Sequence, residues 1–87
     1  MKHYVIDCAE ITDRSTLHDR LKYALELPEH YGRNLDALYD CLTEMPECSV
    51  TLISAEALCS LGQYGKALLS VFYDAANANP NLSLTIE

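Results

Sequence analysis

No apolar run in this sequence exceeds about five residues, against the roughly 20 that a bilayer-spanning helix needs, so no such span is expected. The opening stretch, Met1-Lys2-His3-Tyr4-Val5-Ile6-Asp7, reaches an acid too early to serve as a signal peptide. Bases are scarce: 6 Lys+Arg stand against 13 Asp+Glu, for a formal net charge of -7. A nucleic-acid backbone would meet like charge, so the expected partner is basic rather than a nucleic acid or a membrane. No Cys-x-x-Cys pair occurs, and the three histidines, His3, His18 and His30, do not complete a zinc pattern with the cysteines. Neither a metal nor another cofactor is expected. Internal repeats and low-complexity tracts are absent too.

What remains is the composition of a single small globular domain spanning residues 1–87, with 49% hydrophobic residues. A chain of this length buries roughly 60–68% of the surface exposed when unfolded, enough for one core. Four cysteines, Cys8, Cys41, Cys48 and Cys59, need an account. With no export signal, a reducing cytoplasm is the expected location, and free thiols packed as small apolar groups are the expected state. A disulfide or a reactive nucleophile is the alternative.

Three β-like runs stand out: Tyr4-Val5-Ile6, Val50-Thr51-Leu52-Ile53 and Leu82-Ser83-Leu84-Thr85-Ile86. The segments between them read as helices. Ser15 or Asp13 suits the cap of a first helix with Leu17, Leu21, Ala24 and Leu25 on its apolar stripe, and Pro28 stops it. Asn34 caps a second, with Leu35, Leu38 and Leu42 at helical spacing and Pro46 beyond its end. A short helical turn over Ala55 to Leu61 meets Gly62, and a longer helix runs from about Gly65 to Ala78 with Leu68, Leu69, Phe72 and Ala75 inward. The order β-α-α-β-α-α-β predicts an α/β fold, a three-stranded parallel sheet packed with about four helices. Alternation in the last run predicts that one of its faces is less buried.

Charge is uneven. Between Glu26 and Glu47 lie six acids, Glu26, Glu29, Asp36, Asp40, Glu44 and Glu47, against the single base Arg33. Asp36, Asp40 and Glu44 recur every four residues and share one helix face. Like charges so spaced repel by a few tenths of a kcal/mol per pair, and only Asp36 sits near enough to the helix N-terminus to recover some of that. A solvated face is one reading. The other is an anchor surface for an Arg- and Lys-rich partner, because Tyr39 adjoins Asp40 and the loop before the helix carries His30 and Tyr31 beside Gly32. Tyr31 is expected to pack inward. Asp74 adds a carboxylate if the last helix lies alongside.

The run Leu27-Pro28-Glu29-His30-Tyr31-Gly32-Arg33-Asn34-Leu35-Asp36-Ala37-Leu38-Tyr39-Asp40-Cys41-Leu42-Thr43 resembles the signature segment of the barstar family, intracellular inhibitors of a secreted microbial ribonuclease. The likeness extends to Leu17-His18, Leu21-Lys22, Val71-Phe72 and the final strand, and weakens from about Met45 to Gly65. It implies a small parallel sheet flanked by helices and a protein, not an enzyme, that plugs a nuclease active site with its second helix and preceding loop. By position, Asp40 matches the carboxylate that takes the place of an RNA phosphate and meets the nuclease's catalytic arginines and histidine. Asp36 matches a second acid facing a base, and Asp74 a peripheral acid. His30 matches a ring over the catalytic histidine, and Tyr39 an aromatic at the interface edge. With Gly32, Asn34 and Glu44 these form the expected partner-binding set, for a basic secreted-type ribonuclease bound one to one. Barstar carries Tyr in place of His30, Trp in place of Tyr39, an acid in place of Arg33, and a further aromatic near Met45; this chain has no Trp.

Three other readings compete. Asp40-Cys41-Leu42 is similar to the Asp-Ser-Leu attachment site of acyl carrier proteins, but the serine is missing and three strands are signalled. A Cys41–His30 pair would suit a nucleophilic enzyme, but Cys41 adjoins Leu38 and Leu42 on the apolar side of its helix, where a thiol is inert. The third is an acidic binding module of the same fold with a basic partner other than a nuclease.

Overall fold

Alternating apolar and polar residues with β-branched content form the middle strand, and everything else is arranged around it. The structure is a computed structural model that describes Met1–Glu87 throughout. Strand β1 spans Lys2–Asp7, β2 Cys48–Ile53 and β3 Leu82–Ile86. Between them lie helices α1 (Arg14–Ala24) and α2 (Leu35–Thr43), then a 3₁₀ helix (Ala55–Leu61) and α3 (Gln63–Ala78). The sheet order is β1-β2-β3 with both pairings parallel, so the α/β order read from the sequence is the observed one. No helix is long and apolar enough to cross a membrane.

The register aligns Ile6 with Leu52 and Leu52 with Ile86, and Cys48 with Leu82. One sheet face is therefore continuous: Ile6, Cys48, Val50, Leu52 and Leu82 are buried on it, and Tyr4, Leu84 and Ile86 are half-buried. The opposite face carries Val5, Ser49, Thr51, Ser83 and Thr85, none of them buried. Parallel sheets are commonly covered on both sides. Here the polar alternation seen in β3 extends across all three strands, and the core lies on one side only.

Onto that side the helices deliver Leu17 and Leu21 from α1, Leu38 and Leu42 from α2, and Leu68, Phe72 and Ala75 from α3. Phe72, the only phenylalanine, is fully buried. Each large side chain so placed contributes about 1.5–3 kcal/mol relative to exposure. Leu69, expected inward, is only half-buried at the edge of this core.

Local chemistry sets the helix ends. Of the two candidate caps for α1, Asp13 is used: its carboxylate accepts from Thr16 N at 2.7 Å. Those bonds hold the Asp13 carboxyl below the usual aspartate range. Leu25 caps the other end, and Glu26 turns into the left-handed region with φ 54°. Asn34 caps α2 as expected, accepting from Ala37 N at 2.8 Å. Helix α3 starts at Gln63, earlier than its apolar pattern implied, because Gly62 adopts φ +59° and redirects the chain straight from the 3₁₀ helix.

All four cysteines are free. Cys8 and Cys48 are buried in the apolar core as expected, whereas Cys41 is half-buried and Cys59 exposed.

Gly65 sits where α3 crosses the 3₁₀ helix. A Cβ there would clash with the backbone oxygen of Leu58 and force the two elements apart. Gly65→Ala should therefore destabilise the fold by about 1–3 kcal/mol. Urea unfolding checks this; an unchanged midpoint would contradict the close approach.

Candidate functional site

Helix α2 has one apolar and one acidic side. Leu38 and Leu42 are fully buried, which turns Asp36, Asp40 and Glu44 outward, and all three are exposed. The four ion pairs of the molecule are Lys2–Glu26, Arg20–Glu10, Lys22–Glu29 and Arg33–Asp19. None engages an acid of α2, and the one side-chain hydrogen bond to Asp40 goes to its backbone oxygen, from Thr43, leaving the carboxylate unbonded. The row of carboxylates is left free for an external cation.

Arg33 is the one base near these acids in sequence, and the fold draws it away. It pairs with Asp19 of α1 at 2.7 Å and donates to the backbone oxygen of Ser15 at 3.1 Å. To do so it adopts φ 57°, a conformation disfavoured for a residue with a Cβ. The two contacts offset that cost.

The loop from Pro28 to Asn34 is held at several points. Tyr31 N donates to the Pro28 oxygen at 3.0 Å, tightening the turn. Tyr31 packs inward as expected, 6% exposed. Its hydroxyl lies 2.7 Å from His18 Nδ1, and His18 Nε2 lies 2.6 Å from the hydroxyl of Tyr64 on α3. At Gly32 a Cβ would come to 3.1 Å from Ala37 Cβ, so glycine lets the loop press against the start of α2. Asn34 also closes the loop on itself, donating to the Gly32 oxygen at 3.2 Å.

His30, Gly32, Asp40 and Glu44, with Pro28, Tyr31, Ala37 and Cys41, line a surface groove of about 240 Å³. Four of the expected partner-binding residues thus meet in one place. Asp36 lies one turn from Asp40 on the same exposed helix side, outside the groove lining. Tyr39 is half-buried against the core, with part of its ring exposed. Asn34 spends its side chain on the cap, so its part is to shape the loop. Asp74 is exposed on α3, which packs on α2, but it does not line the groove.

Cys41 and His30 share this groove, yet the thiol is not activated. Burial pushes its pKa up, and Glu44 and Asp40 push it further the same way. A nucleophilic cysteine needs the opposite surroundings.

Three residues that matter to the site have partners that no local pattern announces. His18, buried at 3% exposure, sits beside Leu17 on the apolar stripe of α1, a placement that marks a buried ring but not its partners. Tyr64 reaches it from a residue 46 positions away. Asn79, 4% exposed, donates to the backbone oxygens of Leu42 and Met45 at 3.0 Å each. The Leu42 oxygen also accepts from Met45 N at 3.3 Å, so the amide adds a second bond there and gives the Met45 oxygen a side-chain donor. Asn79 also accepts from Asn81 N at 3.0 Å, so one amide ties α2 to the turn before β3.

Comparison with known proteins bears on this arrangement. The family model described as Barstar (barnase inhibitor) matches residues 1–86. A protein of Bacillus subtilis (strain 168), named "Putative ribonuclease inhibitor YrdF", is 40% identical over 78 residues, covering 86% of this chain and 86% of its own.

Removing the Asn79 amide takes one hydrogen-bond donor from each of two carbonyls at the end of the acidic helix. Asn79→Ala should cost about 1–3 kcal/mol of stability, read as a lowered urea midpoint with unchanged slope. A midpoint equal to that of the unaltered protein would show that water replaces these bonds.

Proposed function

The chain belongs to the barstar family, a family of ribonuclease inhibitors rather than enzymes, and from that premise we propose how it inhibits. Helix α2 and the loop before it enter the active site of a basic, secreted-type ribonuclease, one to one, and occupy the positions of RNA phosphates. The observation that carries this reading is the uncommitted acidic side of α2. Asp36 and Asp40 are exposed, lie one turn apart, and have no ion pair within their own molecule.

A ribonuclease must present cations to bind phosphate and to stabilise the charge that develops there. Carboxylates on a helix of fixed geometry replace the phosphate oxygens with charge-assisted hydrogen bonds, which are shorter and stronger than neutral ones. Because the side chains are already arrayed, little ordering cost falls on binding. Asp40, which lines the groove, meets the cationic centre. Asp36 takes a neighbouring base, and Asp74 and Glu44 act at the edge. His30 and Gly32 supply the loop contact, Asn34 fixes the loop's shape, and Tyr39 forms part of the rim.

The surplus of negative charge also steers the encounter over about one Debye length, about 8 Å at physiological salt. Free thiols at all four cysteines support a reducing compartment. We therefore assign the inhibitor to the cytoplasm, where it protects against a nuclease made for export or delivered by a neighbour.

Two measurements check the reading, with barnase as the probe. In an alanine series, Asp40→Ala should weaken inhibition most, by about 1.5–3 kcal/mol for each charge-assisted bond lost. Asp36→Ala should follow, then Asp74→Ala and Glu44→Ala. Equal small losses at all four positions would reject the phosphate-mimic mechanism. Association should slow markedly as ionic strength rises; a salt-independent rate would remove the steering role. Tight binding to a basic protein with no nuclease activity, and none to ribonucleases, would move the chain to a different partner class on the same fold.

A further inference from the structure

Buried histidines need a reason, and His18 is the only ionisable ring in the core that bridges two other elements. Its Nδ1 meets Tyr31 of the site loop and its Nε2 meets Tyr64 of α3, at 2.7 and 2.6 Å. The rings are close and tilted, with centroids 5.8 Å apart for His18–Tyr31 and 6.0 Å for His18–Tyr64. The guanidinium of Arg14 lies over the Tyr64 ring at 4.1 Å, completing the stack.

The polarity of this relay follows from burial. Tyr31 is almost wholly enclosed, and its hydroxyl has no other hydrogen-bond partner than His18. A buried O–H requires an acceptor. His18 Nδ1 must therefore be the unprotonated nitrogen, which leaves Nε2–H to donate to the Tyr64 oxygen. Tyr64 is half-exposed, so its own O–H is free to reach water. Only the neutral ring, in this one tautomer, satisfies all three groups. A proton on Nδ1 turns that atom into a donor and leaves the Tyr31 hydroxyl hydrogen without an acceptor.

We infer that His18 is a positioning residue for partner binding: through Tyr31 it clamps the loop Pro28–Asn34 to α1 and α3, and its protonation releases that clamp. The binding half of this inference rests on the reading that the loop and α2 meet the partner.

The charged surroundings act in the same direction. Burial holds the His18 ring below the usual histidine range, and Arg33 of the loop and Arg14 of α1 reinforce this, against a smaller opposing effect of Asp19. From α3 the facing group is Tyr64, and from α2 Cys41 lies near Tyr31; burial raises the pKa of the Cys41 thiol and of the Tyr31 phenol. A histidine whose folded value is lowered contributes its full stabilisation above the unfolded value, near 6.5. That contribution is lost as pH falls from there toward the lowered folded value. Loop release is thus an acid-side event.

Amide hydrogen exchange on the intact free protein reads the clamp without any partner. The amide of residue 31, which donates to the Pro28 oxygen, should lose protection roughly five- to tenfold in Tyr31→Phe and Tyr64→Phe at about pH 8. In the unaltered chain it should lose protection, after correction for intrinsic rates, between about pH 8 and pH 5.5. Tyr31→Phe should show no such pH step. Thermal unfolding confirms that each variant remains folded. Equal loop protection across variants and pH would overturn the clamp. Barnase binding is then measured on the same proteins. Each variant should bind roughly five- to tenfold more weakly, and the pH dependence of affinity should flatten in Tyr31→Phe relative to the unaltered chain. Altered protection with unaltered affinity would overturn the positioning role in binding. Altered protection together with no barnase binding by the unaltered chain would leave the clamp standing and count against the ribonuclease reading.

Discussion

Burial of Leu38 and Leu42 is the contact that makes the rest possible. Both side chains are fully enclosed beneath α2, and each contributes about 1.5–3 kcal/mol. The carboxylates one and two turns apart on the outer side repel by only a few tenths of a kcal/mol per pair. Packing exceeds repulsion by roughly an order of magnitude, so the helix tolerates an acidic row of which only Asp36, in its first turn, favours the helix. A shorter or less apolar inner side would have required basic neighbours, and those would have neutralised the surface.

Rigidity is supplied at the ends. Asn34 caps the start of α2 and Asn79 caps its finish, the second from a residue far along the chain. Between them the helix cannot fray in the way a nine-residue helix in isolation would. The preceding loop is pinned separately, by Tyr31 inward and by Arg33 toward α1. The left-handed backbone at Arg33 shows that the loop's path is imposed by these tertiary contacts rather than chosen locally.

The same ion pair settles an electrostatic question. A free guanidinium at Arg33, two residues before α2, would oppose the cationic partner proposed above. Paired with Asp19 and bonded to Ser15, it is committed to α1 instead. Its charge remains within a Debye length of α2 but is compensated on the spot. Meanwhile the exposed His30 and the half-buried Tyr39 are the rings that this loop and helix leave at the surface.

Much was legible in the residues themselves. Element order, the parallel sheet, the Asn34 cap, the outward acids at 36, 40 and 44 and the inward Tyr31 all follow from periodicity, cap chemistry and the likeness of the 27–43 run, because each depends on neighbours within a turn or two. The one-sided sheet, the half-exposed Leu69 and the exposed Cys59 depended on what lies across the chain. So did the recruitment of His18, Tyr64 and Asn79, whose partners are up to 46 positions distant. Hydrophobic spacing states which side of an element faces inward, but not which buried polar group it will find there; only closure of the tertiary structure pairs a donor with its acceptor.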